Sequence, residues 1–240
     1  MNASNFHDAS PWTQGTTEFW QALENAAHWH QKMQPPYRYS YPALISQHFV
    51  LPLPIRALTA NPQLAVASLI ANQATFEVID FLTQEMGKIA QECNAQRILG
   101  LPTLGMVFAP GVAKYLGHQR WVPMGYSRKF WYDEALSTSV SSITSPSINK
   151  KIYLDPHQLS LLKGVRTLIV DDVVSSAQTV KHVWDLMESL GVEVAGVVVA
   201  MRQGQQWRET LGAERASLVY GVFDSPKLAL QPDGWWPLDT

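Results

Sequence analysis

Residues 166–179, RTLIVDDVVSSAQT, constrain the fold more than any other stretch of this chain. Thr167 to Val170 is a short apolar run with β-branched residues, the pattern of a strand buried on both faces. Two adjacent carboxylates follow, Asp171 and Asp172, and then the small polar run Ser175-Ser176-Ala177-Gln178-Thr179. Beyond Thr179 the period changes. Val180, Val183, Trp184, Met187 and Leu190 recur at helical spacing, and Gly191 ends the run. The sequence therefore predicts strand, polar loop, helix. In a parallel α/β sheet ligands bind beyond the carboxyl ends of the strands, where this loop has to lie.

The loop has a chemical logic. Small side chains let backbone N–H groups converge on an anion, and a helix N-terminus adds partial positive charge there. Ser175, Ser176 and Thr179 add hydroxyl donors. Paired aspartates would repel a phosphate they touched, so they make sense as acceptors for vicinal sugar hydroxyls or as organisers of a Mg²⁺ hydration shell. The segment resembles the signature of type I phosphoribosyltransferases: apolar strand, two acids, two aliphatics, small-residue phosphate loop, then Thr. That resemblance implies a ligand with phosphate, ribose and a metal-bound diphosphate in line, namely phosphoribosyl pyrophosphate (PRPP). The family usually has Gly where this chain has Ala177, and often another at Gln178. If position 177 requires a positive φ, Ala costs about 1 kcal/mol relative to Gly.

The rest of the chain fits around this motif. It has 240 residues, 46% of them hydrophobic, ample for a core. Only 16% are charged, below the usual quarter or so, which points to a surface partly covered by a second chain, and a homodimer is expected. A formal charge of −2 with no basic block argues against nucleic acid as a partner. The single Cys93 fits a reducing compartment. With no long apolar run and a polar start that is no signal peptide, a cytoplasmic protein without a membrane partner is expected.

Residues 1–60 are rich in Trp, Tyr and Pro, and read as an extension contributing to a hood or to dimer contacts. Within them Thr16 to Lys32 is predicted helical, with Phe19, Leu23, Ala26, Ala27 and His30 on one face. The following Pro-punctuated stretch is predicted extended, with an edge strand near Ser46–Leu51. His28 and His30 do not share a helix face, so they make no metal pair. Asn61-Pro62 looks like an N-cap with Pro at N1, opening a helix to about Ile70. A second helix places Val78, Leu82, Met86, Ile89 and Cys93 toward the core. A core domain over residues 61–230 and a tail over 231–240 complete the predicted organisation.

Arg97–Gly100 is the predicted first central strand, leading through Leu101-Pro102-Thr103-Leu104-Gly105 into a helix ending near Leu116. Trp121–Met124 is the next strand, with Arg128 and Lys129 just beyond it. The Ser- and Thr-rich interval 130–149 reads as a long loop, and Lys150 to Leu154 as a strand. Val194–Met201 and Leu218–Phe223 are two more.

The type I resemblance extends over roughly Phe76 to Leu228 and is nearest in layout to the adenine/xanthine group. It implies a mostly parallel twisted central sheet flanked by helices, with a small hood built from N- and C-terminal segments. It also implies roles. Residues 175–179 hold the 5-phosphate. Asp171 and Asp172 position the ribose hydroxyls and Mg²⁺, directly or through water. Arg128, Lys129 and the backbone of Thr103, Leu104 and Gly105 meet the pyrophosphate. Asn72, Gln73, Phe76, Met201 and Arg202 are candidates for contact with the base. The 130–149 loop is a lid that excludes water. The hypoxanthine-guanine group has an Asp general base where this chain has Ser175, a device not open to it. The activity so implied is transfer of ribose 5-phosphate from PRPP to a nucleobase, a purine above all. The alternatives are a non-catalytic PRPP- or nucleotide-sensing regulator and a nucleotide hydrolase.

Overall fold

The computed structural model describes residues 19–140 and 150–238. In chain order the first strands are β1 (Glu24–Asn25), β2 (Ser40–Leu44), β3 (Phe49–Leu58) and β4 (Asn61–Ala67). Next come α1 (Phe76–Glu92), β5 (Arg97–Gly100), α2 (Gly105–Tyr115), β6 (Val122–Gly125), β7 (Ser137–Val140) and β8 (Lys150–Leu154). The chain continues through β9 (Arg166–Val174), α3 (Gln178–Ser189), β10 (Glu193–Gln203), α4 (Gln206–Ala216) and β11 (Val219–Ser225). It closes with β12 (Lys227–Gln231) and β13 (Gly234–Pro237). These elements divide into two compact units, one up to Val78 and again from Phe223, the other from Ile79 to Val222. The predicted boundary at residue 60 thus differs from the observed division.

The first unit is an antiparallel sheet in the order β1-β3-β4-β12-β13, with β2 also paired to β3. Three expectations change here. The helix predicted from Asn61 is strand β4, in which Ala65 and Ala67 are buried while Leu64 and Val66 are half-buried. Its partners are β3 on one side and β12 on the other, a pairing with a distant segment that outweighs the local Asn-Pro signal. The predicted edge strand near Ser46–Leu51 is part of ten-residue β3, which pairs with β2 along its first half and with β4 along its second. Residues 231–240, expected as a tail, include the turn of the β12–β13 hairpin and all of β13, as far as Pro237.

Of the helix predicted over Thr16–Lys32, only Ala26–Lys32 is helical, as a 3₁₀ turn, and residues before Phe19 lie outside the described part. Trp20 explains the interruption. Its φ is 62°, in the left-handed region, and its ring is 2% exposed, with the indole donating to the Ser68 carbonyl at 3.1 Å. Thr75 donates from its backbone to the Trp20 carbonyl (3.0 Å) and from its hydroxyl to the Gln21 carbonyl (3.0 Å). This strap holds residues 68–75 in place.

In the second unit the sheet order is β11-β10-β9-β5-β6-β8-β7. β10, β9, β5 and β6 run parallel, and β8 and β7 extend the edge antiparallel. Thr167, Leu168, Ile169 and Val170 of β9 are fully buried, as the apolar run predicts. Val180, Val183, Trp184 and Met187 of α3 join Ile169, Val197 and Val199 in one core cluster. On α1 the buried face is Val78, Leu82, Met86 and Ala90, with Ile89 and Cys93 half-buried beside it. The long loop expected over 130–149 is partly ordered by pairing. Glu134–Leu136 is a 3₁₀ turn, and Ser137–Val140 is β7, in register with β8. Residues 141–149 of the predicted lid lie outside the described part.

Candidate active site

β9 runs further than the sequence suggests. It includes Asp171 and Asp172 and ends at Val174, so the acid pair belongs to the sheet and only Ser175–Ala177 form the loop. The reason is β10, whose Val199, Met201 and Arg202 pair with Asp171, Val173 and Val174. α3 then starts at Gln178 with no side chain capping it, which leaves its first amides open to a ligand. Ala177 takes φ 57° and ψ 12°, and its methyl is buried. The positive φ usually met by Gly is therefore present here on an L side chain. Ser175, Ser176, Gln178 and Thr179 are half-buried around it.

Asp171 is 9% exposed, and its carboxylate accepts a bond from the Asp172 amide at 3.0 Å. Among the described residues no Lys, Arg or His forms an ion pair with either acid. Burial first, and then the neighbouring Asp172 charge, push the Asp171 carboxyl well above its ordinary value. Burial likewise pushes Asp172 up to about 6. Two carboxylates held this way favour protons, sugar hydroxyls or a hydrated cation as company.

The segment between β5 and α2 lies directly against this pair. The Leu101 amide donates to the Val170 carbonyl at 2.9 Å. Gly105 packs so closely that a Cβ there would meet Asp171 Cα, Asp171 Oδ1 and the Val170 carbonyl oxygen, each at 2.8 Å. The glycine at the start of α2 is thus what lets the two strand ends share one site. Thr103 is exposed and Leu104 half-buried, and the Pro102–Thr103 peptide is cis.

Sequence reasoning missed Tyr126, which follows β6. Its hydroxyl donates to the Pro102 carbonyl at 3.2 Å and ties the end of β6 to this loop. Burial, and then the charges of Asp171 and Asp172, raise the phenol pKa, which keeps the proton on the donor. The Lys150 ammonium stands 5.4 Å from the centre of the same ring.

Tyr126 also lines a groove of about 610 Å³ with Arg128, Glu134, Lys150, Lys151 and Tyr153. Arg128 is exposed and lies 3.4 Å from Glu134, which also receives a hydrogen bond from Lys151. That bond lowers the Glu134 pKa, and the nearby Lys151 and Arg128 charges act in the same sense. Asp133 caps the short turn by accepting from the Ala135 amide at 2.9 Å, which sets Glu134 in its first turn. An Asp followed by a turn was the only sequence signal for this acid. Lys129 is exposed.

The base candidates fall in different places. Asn72 and Gln73 lie in a 3₁₀ turn and Phe76, 86% exposed, opens α1, all in the first unit. Met201 was expected to end a strand, and β10 in the second unit runs past it to include Arg202 and Gln203. Met201 is 1% exposed. The Arg202 guanidinium stands 5.9 Å from the Trp207 ring centre and donates to the Val219 carbonyl at 3.4 Å.

Parallel strands β5 and β9 thus bring a small-residue loop, a paired acid and two helix starts together at their carboxyl ends. Residues 69–216 match the model of the phosphoribosyl transferase domain, and the chain belongs to that family. It is 29% identical to an adenine phosphoribosyltransferase of Dichelobacter nodosus over 66% of this chain and 85% of that one. It is 26% identical to xanthine phosphoribosyltransferase 2 of Clostridium botulinum, over 65% and 83%. An orotate phosphoribosyltransferase of Pyrobaculum aerophilum is 31% identical, but the match spans 55% of this chain and only 57% of that one. The structure is similar in fold to the Giardia lamblia APRTase complexed with 9-deazaadenine, with TM-score 0.58 and 16% identity over 72% of this chain and 93% of that one. Adenine phosphoribosyltransferase from Rhodothermus marinus gives 0.56 and 20%, over 72% and 94%. The fold is that of the type I phosphoribosyltransferases.

Proposed function

We infer that this protein transfers ribose 5-phosphate from PRPP to a ring nitrogen of a nucleobase, a purine above all, releasing pyrophosphate, in nucleotide salvage. The observation that carries the reading is the pair Asp171–Asp172 at the end of β9, the first buried and the second half-buried, with no cation of the described residues paired to either and with Gly105 packed against Asp171. Acids left without a cation among the described residues call for a partner from the ligand. The amides and hydroxyls of residues 175–179 hold the 5-phosphate at the start of α3. Asp171 and Asp172 accept bonds from the ribose hydroxyls, which orients the sugar and stabilises positive charge as it develops there. The Thr103–Gly105 backbone, Arg128 and Lys129 receive the leaving pyrophosphate.

The two carboxylates also suit Mg²⁺, which prefers a few acid oxygens and keeps most of its waters. Asp171 and Asp172 are the residues that would hold it, through water or through PRPP. When bound, it neutralises charge on the diphosphate. For the base, the candidates are Asn72, Gln73 and Phe76 or Met201 and Arg202. A homodimer in the cytoplasm completes the reading. The runner-up is a PRPP-sensing regulator, which the strained Ala177 in the phosphate loop keeps open.

Thermal denaturation with PRPP and Mg²⁺, paired with a pyrophosphate-release assay over purine and pyrimidine bases, tests this. PRPP should raise Tm in a Mg²⁺-dependent way, and one base should give pyrophosphate. No shift at millimolar PRPP sinks the reading. A shift without pyrophosphate from any base identifies the regulator.

A further inference from the structure

The Arg128 side chain assigned to the pyrophosphate is already engaged. Glu134 stands 3.4 Å from it and takes a hydrogen bond from Lys151, so one carboxylate serves two cations that come from different elements. Both cations line the same open groove, as do Lys150 and the rings of Tyr126 and Tyr153. With Glu134 the charges there are three positive and one negative. Without it, the floor of the groove would present three cations to an anion. Tyr126 links the groove to the loop between β5 and α2, since it lines the one and donates to the Pro102 carbonyl of the other at 3.2 Å. Its volume of about 610 Å³ falls within the range of small-ligand sites.

A diphosphate and a carboxylate compete for the same donors. Guanidinium and ammonium groups pair with either, and the diphosphate, with more charge and more oxygens, bridges several cations at once. Glu134 is exposed, as are its partners, so breaking its ion pairs exposes nothing buried and costs little.

We propose that Glu134 is a displaceable internal competitor for a diphosphate: it occupies Arg128 and Lys151 in the free protein and gives them up when the diphosphate enters the groove. In this role it tunes affinity, and it favours release of the pyrophosphate by recapturing the two cations. Lys150 and Lys151 thereby join Arg128 as diphosphate ligands. The inference rests on the PRPP reading for the origin of the diphosphate, and on the groove alone for the competition.

Inorganic pyrophosphate is titrated calorimetrically, at low and high salt, into the full chain and into Glu134→Gln, Lys151→Met and the double variant, with folding checked by circular dichroism. Glu134→Gln should tighten pyrophosphate about two- to fivefold at low salt, the span that exposed ion pairs carry, with less gain at high salt. Lys151→Met should weaken it, and in its presence the Glu134→Gln gain should shrink. An unchanged or weaker affinity in Glu134→Gln overturns the proposal, as does a gain that persists in full when Lys151 is absent. A parallel titration with PRPP separates the two claims. If PRPP fails to bind while pyrophosphate still responds to Glu134→Gln, the transferase reading falls and the groove stands. If PRPP binds and neither ligand responds to Glu134→Gln, the competitor falls and the transferase reading stands.

Discussion

Asp171 and Asp172 lie in the sheet with no cation of the described residues paired to either, whereas Arg128 and Lys151 lie at the surface with Glu134 between them. The two clusters have opposite energetics. Ionising an acid pair that is buried at Asp171 and half-buried at Asp172 works against the fold, and burial raises the pKa of both. Exposed ion pairs contribute little in either direction. A charge cluster that destabilises its own fold is one whose return comes from a ligand. A self-neutralised surface cluster can be rearranged freely, which suits a group that must be picked up and let go.

The sharpest way to break this contrast is Asp172→Asn. It removes a charged acceptor worth about 1.5–3 kcal/mol to the ligand, so kcat/KM with PRPP should fall by roughly one to two orders of magnitude. The fold should gain. Asp172 releases its proton at about 6 when folded against an ordinary 3.8, so the stability it contributes is present below about pH 4 and is lost as pH rises through about 6. Asp172→Asn should therefore raise Tm at neutral pH and flatten the decline between about pH 4 and 6. Lys151→Met, on the exposed side, should leave Tm nearly unmoved. A lower Tm in Asp172→Asn would mean that the pair holds the sheet together, and the contrast would be lost.

Gly105→Ala probes how tightly α2 is set against the acids. The new methyl would meet Asp171 and the Val170 carbonyl at 2.8 Å, backbone atoms among them, and overpacking of this kind costs about 1–3 kcal/mol. Urea unfolding should show that loss. A variant as stable as the parent would show that α2 can shift away from β9.

The smallest effect is expected at Ala177. Gly would relieve a left-handed φ that costs an L residue roughly 1–2 kcal/mol, against about 0.4–1 kcal/mol from a freer unfolded chain. Ala177→Gly should thus stabilise by about 0.5–1 kcal/mol and tighten PRPP binding slightly. Lower stability in chemical denaturation would instead show that the buried methyl matters more than the backbone angle.

Much of the second unit was legible in the sequence. The β5 strand matches residue for residue, and β6, β10 and β11 fall where apolar runs place them. β5 and β10 are buried along most of their length, so their patterns are dense and their ends are marked by turn formers. The acid pair was legible as chemistry but misplaced as structure: the pairing of β9 with β10 carries it inside the sheet. The role of Glu134 was not legible, because a capping Asp marks its turn but nothing local distinguishes a carboxylate that meets two cations from one that meets water.

The sequence by itself determined that a buried strand must lead through two acids and a small-residue turn into an amphipathic helix. Backbone sterics and hydrophobic periodicity act within a few residues and need no partner. Tertiary structure alone decided that Asn61–Ala67 is a strand, since β12, its neighbour on one side, comes from the far end of the chain. It also decided that Gly105 meets Asp171, and that Arg128 and Lys151 share Glu134. Strand pairing, close backbone approach and the sharing of charge are all set by what the chain brings together from a distance, and no local pattern encodes that.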